Sequence, residues 1–191
     1  MKNIFNFLVT IFLFHSYAQA GFLFEPYVGY QTMVTDIKTG SASGSLPVKL
    51  DGAGIGFGMR LGFSGLLLFA GLDYGVASLN MKLKEGALPI TPGASLHSSM
   101  GGTIVLNLPI IRPHVGYLFD DRLQGTDSSL IGSGTKVGLG FGVIPKLKIN
   151  IEYYTITFNK YKSSTEVSLP DANTYELASM TGMMLNLSAT Y

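Results

Sequence analysis

Hydrophobic and polar positions alternate along much of the chain with a period of two, which is the pattern of a β-strand with one apolar face. The clearest example is 53–63, where every second residue is apolar and the residues between are glycine, apart from Arg60. A row of glycines leaves room for close neighbours, as on the inside of a narrow barrel, so the apolar face is predicted to point outward. An apolar exterior around a tight interior is typical of a closed β-barrel in a lipid bilayer.

Eight segments alternate in this way, and their lengths of 8 to 13 residues are close to the ~9 to 11 residues that a tilted membrane strand requires. They are 22–34, 53–63, 66–76, 99–108, 111–119, 136–143, 147–154 and 182–191. Short turns are predicted at Ser64-Gly65, Leu108-Pro109-Ile110 and Pro145-Lys146, and long polar loops near 35–51, 79–97, 120–134 and 160–174. The prediction is an all-β fold, an eight-stranded antiparallel up-and-down transmembrane β-barrel with short periplasmic turns and four long outer loops.

The first twenty residues have the features of a secretory signal peptide. Lys2 gives a positive start, 4–14 is an apolar run, and Ala18-Gln19-Ala20 is a small-x-small cleavage site. The apolar run is shorter than the ~20 residues of a spanning helix. The predicted organisation is therefore a signal peptide at 1–20 and one barrel domain at 21–191, exported through the periplasm.

Composition narrows the classes of function. The chain has no cysteine, which excludes disulfides and thiolate metal sites, and a formal net charge of +1, which argues against nucleic acid as a partner. No cofactor is predicted. A soluble lipocalin-like barrel also has eight strands, but it would place the glycine row of Gly138, Gly140 and Gly142 on its outside, where strands of glycine are unstable.

Ionisable residues of the strands share the inward parity. They are Glu25, Arg60, Asp73, Arg112, Lys136, Lys148 and Glu152. A basic residue that faces lipid at mid-depth costs ~2 to 4 kcal/mol, so these residues are predicted to lie inside, acid beside base. We expect Arg60, Asp73 and Glu152 to form a plug, with Glu25 and Arg112 in a lower layer, Lys136 higher, and Lys148 close to water. The alternative is a charged ion pathway.

Beyond this level the inward positions become apolar, in two strands that continue past the membrane. They are Leu79, Met81 and Leu83 in one strand, and Tyr154, Ile156 and Phe158 in the other. These residues predict either a dry upper core that stiffens the hairpins or a pocket for a hydrophobic small molecule.

Catalytic residues are not predicted. The one candidate pair is His97 and Ser99, with Glu85 or Glu176 to orient the histidine. Two residues apart on a strand, the pair lies ~7 Å apart by Cα, so the favoured interpretation is polar residues at the barrel rim.

Three short segments and the last residue carry a family resemblance. They are Glu25-Pro26-Tyr27-Val28-Gly29-Tyr30, Phe69-Ala70-Gly71-Leu72-Asp73-Tyr74, Arg112-Pro113-His114-Val115-Gly116-Tyr117 and Tyr191. In this order, they resemble the small bacterial outer-membrane β-barrel proteins, the group of the OmpA transmembrane domain, OmpX and the opacity-type proteins. The resemblance covers 21–191, and a departure from it is the absence of tryptophan.

The resemblance implies location in the bacterial outer membrane, as a monomer among outer-membrane lipids and lipopolysaccharide. It implies that Leu185, Leu187 and Tyr191 are the signal read by the barrel insertion machinery. The implied function is structural or interactive, with loops that present binding surfaces to an extracellular ligand. A second reading, similar to OmpW-type barrels, is binding or passage of small hydrophobic molecules, and a third is lipid A modification, since some barrels of this size are enzymes.

Overall fold

The computed structural model describes residues 21–39, 46–65, 67–86, 93–144, 146–163, 166–169 and 175–191. The predicted signal peptide, 1–20, lies outside the described residues. Within the described part the strands are β1 (Gly21–Thr39), β2 (Leu46–Ser64), β3 (Leu68–Glu85), β4 (Ala94–Leu106), β5 (Ile111–Gln124), β6 (Ser129–Ile144), β7 (Leu147–Lys162), β8 (Glu166–Ser168) and β9 (Tyr175–Ala189). Among these residues, no helix is long and apolar enough to cross a membrane.

Eight of these strands close into a barrel. From β1 to β7 each strand pairs antiparallel with the next, β7 pairs with β9, and β9 pairs with β1. The three-residue β8 pairs with β7 at Lys160–Lys162 and stands outside the ring. The predicted eight-stranded antiparallel up-and-down barrel is confirmed.

Side chains follow the predicted parity through the body of the barrel. In β3 the outward residues Leu68, Leu72 and Tyr74 are exposed, while Phe69 and Asp73 between them are buried. The same alternation leaves large apolar residues exposed around the outside, among them Phe22, Val28, Ile55, Phe57, Phe63, Ile104, Val115, Val137, Leu139, Ile151 and Leu185. An exposed apolar surface of this extent is not that of a soluble monomer, and in a closed barrel it faces lipid.

The strands are longer than predicted at the loop end. β1 and β2 remain paired as far as Thr39 and Leu46, inside the stretch 35–51 that was predicted to be a loop. β4 likewise begins inside 79–97, and β5 and β6 extend into 120–134, whereas the continuation of β3 through Leu83 was predicted. The prediction of long irregular loops was wrong in extent, because buried apolar residues such as Ile37 and Val48 continue the inward face beyond the membrane.

Two register shifts lie on either side of β5 near its outer end. The pairing with β4 shifts between Met100 and Gly101, and the pairing with β6 shifts between Leu118 and Asp121. Such a bulge adds one residue to a strand and changes which side chains face inward. Leu118 and Asp121 are therefore both buried, although they differ in parity.

Candidate functional site: the barrel lumen

Arg60 lies at the centre of the lumen, where it contacts three carboxylates. Glu25 and Asp73 are its direct partners in the registers of β1 and β3, so the pairing itself places both acids beside it. Arg60 Nη1 donates to Glu25 Oε1 at 2.6 Å, and Nε donates to Asp73 Oδ2 at 3.1 Å. Nη2 donates to Glu152 Oε1 from β7. A guanidinium has five N–H donors in a planar fork, which suits it to hold several carboxylates at once.

Two further cations extend this cluster. Lys136 Nζ, from β6, contacts Asp73 Oδ2 and lies 3.2 Å from Glu152 Oε2. Arg112 Nη1, from β5, lies 2.9 Å from Glu25 Oε2, and its Nε donates to Asn107 Oδ1 at 2.7 Å. The lumen charge network is thus Glu25, Arg60, Asp73, Arg112, Lys136 and Glu152, all buried and carried by six of the eight barrel strands. It forms one connected group, since Glu25 joins Arg60 to Arg112.

Neutral side chains complete the contacts of the network. The Tyr27 hydroxyl donates to Asp73 Oδ1 at 2.9 Å, and the Tyr27 ring lies 5.0 Å from Arg60 Cζ. Asn186 Nδ2 donates to Glu152 Oε1 at 2.8 Å. Lys148 lies toward the turn end, with Nζ 3.0 Å from Thr190 Oγ1 and 3.9 Å from Glu25 Oε2. Each carboxylate of the lumen charge network therefore has at least two cationic neighbours, and pairing of this kind is the condition under which charges are tolerated inside a protein.

A second polar layer lies beyond the network on the loop side. Gln31 Nε2 donates to the Tyr154 hydroxyl and, at 2.7 Å, to His97 Nδ1. His97 Nε2 then carries the proton, and donates it to Asp121 Oδ2 at 3.0 Å. The His97 ring stacks on Tyr154, with centroids 5.8 Å apart.

Sequence reasoning missed this layer. His97 was interpreted as a rim residue, and Asp121 falls in the stretch 120–134 that was predicted to be a loop, yet their exposed fractions are only 5% and 0%. Asp121 faces inward because of the bulge in β5, for which the alternation of residues gives no sign. Both ring nitrogens of His97 are hydrogen-bonded, and Ser99 lines a small cavity beside it. Glu85, a candidate to orient the histidine, lies on the surface, where its Oε2 atom is 3.4 Å from Lys49 Nζ. The side chain of Glu176 lies outside the described residues.

Most of the apolar residues expected in the upper lumen lie in one buried cluster. Leu79, Met81, Tyr154, Ile156 and Phe158 pack there, together with Met33, Ile37, Val48, Leu118, Leu123, Leu130, Ala178 and Met180. Leu83 does not join them, because the side chain is 40% exposed near the end of β3. Below the cluster a cavity of about 30 Å³ separates it from Lys136 and Glu152, and this is room for about one water molecule.

The residues of the expected insertion signal lie on the last strand and at its end. Leu185 and Leu187 are exposed on the outer face of β9, and Tyr191 is exposed at the turn end. The backbone of Tyr191 is tied to Phe24, with N to O distances of 2.9 and 3.2 Å. Their recognition by the insertion machinery stays a prediction. Within the described residues, no group of three or more histidine or acidic residues could hold a metal ion.

Closure of the sheet, an apolar exterior and a charged interior together define a small outer-membrane β-barrel protein, a class that resides in the bacterial outer membrane. No family model matches the chain, and no curated protein matches it.

Solved structures with a similar chain path include Neisserial surface protein A, at 15% identity over 86% of this chain and 96% of that one, with a TM-score of 0.42. The attachment invasion locus protein Ail of Yersinia pestis has 11% identity over 89% and 99%, with a TM-score of 0.49. The outer membrane protease OmpT of Escherichia coli has 9% identity over 89% and 96%, with a TM-score of 0.40. Each of these TM-scores is below 0.5, and the class of this protein follows from its own closed strand pairing and its apolar outer surface.

Proposed function

We propose that the protein is a non-conducting outer-membrane scaffold, which holds surface loops above the bilayer on a barrel whose lumen is plugged. The observation that carries the proposal is the lumen charge network, in which Arg60 is bonded to carboxylates from three different strands. An eight-stranded barrel has an interior only wide enough for side chains. A network that joins six strands across that space leaves no continuous path for hydrated ions.

Two other levels of the lumen support the proposal. Toward the turns, Phe69 and Val105 lie side by side on the adjacent strands β3 and β4, and both are fully buried. On the loop side, the apolar cluster fills the lumen with its own side chains. Passage of a hydrophobic molecule would require side chains such as Met81 and Phe158 to leave this cluster, so the scaffold is the function we favour.

Conductance in a planar lipid bilayer tests the plug. We expect no steady open current from the wild-type protein, and discrete openings from Arg60→Ala, because the substitution removes the largest fully buried side chain from the middle of the lumen. Arg122→Ala is the matched control, since Arg122 lies exposed beside Asp120 outside the lumen. A steady wild-type channel that Arg60→Ala leaves unchanged would contradict the proposal.

A further inference from the structure

A groove of about 670 Å³ lies against the outside of the barrel, over β1 and its neighbours β2 and β9. Its floor consists of short outward side chains, Thr32, Ala53 and Thr181. Thr32 and Ala53 are direct partners across β1 and β2, and Thr181 pairs with Val34 on the other side of β1. Three adjacent strands thus carry small residues close together, with Thr181 two positions nearer the loop end than Thr32 in the register, which explains the depression.

Larger side chains border the floor and give the groove two chemically different ends. Tyr30, Tyr153 and Met183 border it toward the middle of the barrel, on the apolar face. Lys82 and Lys84 border it toward the loop end of β3. Because the long connections of this class face outward from the cell, the lysines lie at the headgroup level of the outer leaflet and the apolar end lies among acyl chains.

The polar end has charge available for a ligand. Among the residues that the structure describes, no carboxylate lies within ion-pair distance of the Lys82 ammonium. Lys84 Nζ lies 3.4 Å from Asp51 Oδ2, and both side chains are about half exposed. Exposed pairs of this kind contribute little and rearrange readily. The two ammonium groups can therefore accept a phosphate from a headgroup.

Asp51 supplies a second, independent feature of the same end. Its Oδ1 atom is buried, and no donor within the described residues reaches it. A buried acceptor without a partner is unfavourable, so a ligand that brings an N–H or O–H donor would be stabilised here. A suitable headgroup thus carries both a phosphate for the lysines and a donor for Asp51.

We propose that this groove is a binding site for a phosphorylated glycolipid of the outer leaflet, of the lipid A type. One acyl chain lies over Thr32, Ala53 and Thr181, a sugar phosphate contacts Lys82 and Lys84, and a sugar hydroxyl or amide donates to Asp51. The site is on the outside of the barrel, so it is independent of the plugged lumen.

Lipid binding by the folded barrel in detergent micelles tests the site, with bis-phosphorylated lipid A and dioleoyl phosphatidylglycerol as separate probes in native mass spectrometry. We expect bound lipid A to be detected after removal of the micelle at a lower lipid concentration than phosphatidylglycerol requires. Lys82→Gln combined with Lys84→Gln should weaken lipid A binding about thirty-fold, since a lysine near an anionic lipid surface contributes about 1 kcal/mol and every 1.4 kcal/mol is a factor of ten. Ala53→Phe, which fills the floor, should weaken lipid A binding while keeping both charges.

Lys162→Gln is the matched control, because Lys162 is an exposed lysine at the outer end of β7, away from the groove. It should change lipid A binding by no more than about two-fold. Far-ultraviolet circular dichroism and resistance to unfolding by detergent report whether each variant is folded. Equal binding of lipid A by the double lysine variant and the wild type would overturn the proposal. Equal binding of phosphatidylglycerol and lipid A by the wild type would overturn it as well.

Discussion

Arg60 illustrates how a single residue organises the lumen. Its neighbours two positions away on β2, Gly58 and Gly62, have no side chains, so the guanidinium has space to reach acids on both adjacent strands and on β7 across the barrel. Removal of one partner from a buried ionic group costs much more than the pair contributes, because the remaining charges stay buried without compensation. Three carboxylates would lose a partner if Arg60 were replaced.

Arg60→Met is therefore expected to lower the free energy of unfolding by about 3 to 5 kcal/mol. The measurement is equilibrium unfolding of the barrel in urea, in lipid vesicles, followed by the intensity of tyrosine fluorescence. Arg122→Met is the control, because Arg122 is exposed and pairs with the neighbouring Asp120, and its replacement should change stability by less than about 1 kcal/mol. Equal stability of the two variants would mean that the network does not hold the barrel together.

At this scale the sequence predicted the charged residues well, and the upper polar layer poorly. Parity and the energetic cost of charge in lipid were enough to place Glu25, Asp73 and Lys136 inside. Asp121 could not be placed, because its inward direction depends on one extra residue in β5. Leu83 is the reverse case. It has the inward parity of β3, but it lies near the end of the strand, beyond the part that the barrel encloses, and its side chain is exposed.

β2 is the element in which the close approach of backbones is most evident. A methyl group placed on Gly54 would overlap the carbonyl oxygen of Ser78 and lie 3.0 Å from Leu79 Cα, both backbone atoms of β3. Backbone of a paired strand cannot move aside as the end of a side chain can. The inward glycines of β2 therefore allow the tight curvature of the wall, which is the physical meaning of the glycine pattern in the sequence.

Gly54→Ala should accordingly destabilise the barrel by about 1 to 3 kcal/mol, as other overpacking substitutions do. Gly102→Ala is the matched control, because a methyl group there would meet only the Gly71 carbonyl oxygen at 4.0 Å. The temperature at which the folded band disappears in unboiled gel electrophoresis measures the difference. If the two variants lose the folded band at the same temperature, close strand packing is not the role of the glycines.

The number, order and facing of the strands could be predicted because the period of two is local and each strand pairs with the next. The ends of the strands could not be predicted in this way, because a polar composition does not by itself end a strand. In β1 and β2, residues such as Thr35 and Lys49 are polar and nevertheless paired, and the buried Ile37 and Val48 hold the hairpin together from inside.

Through the middle of the barrel the apolar surface lies outside and the charged side chains lie inside, the reverse of a soluble protein. The lumen has four levels, from Phe69 and Val105 toward the turns, through the charge network and the polar layer of Gln31, His97 and Asp121, to the apolar cluster toward the loops. This order fits a protein surrounded by hydrocarbon at mid-height and by water at both ends. Under the proposed function the barrel is closed, so the loops and the outer surface are where partners can bind.

Electron paramagnetic resonance of single nitroxide labels on the barrel in lipid vesicles tests this arrangement most directly. The chain has no cysteine, so Ile55→Cys and Leu139→Cys can be labelled without background. Both residues point outward, with exposed fractions of 67% and 37%. The account predicts that molecular oxygen relaxes both labels strongly and that a water-soluble nickel chelate does not reach them. Strong relaxation of both labels by the nickel chelate would contradict it.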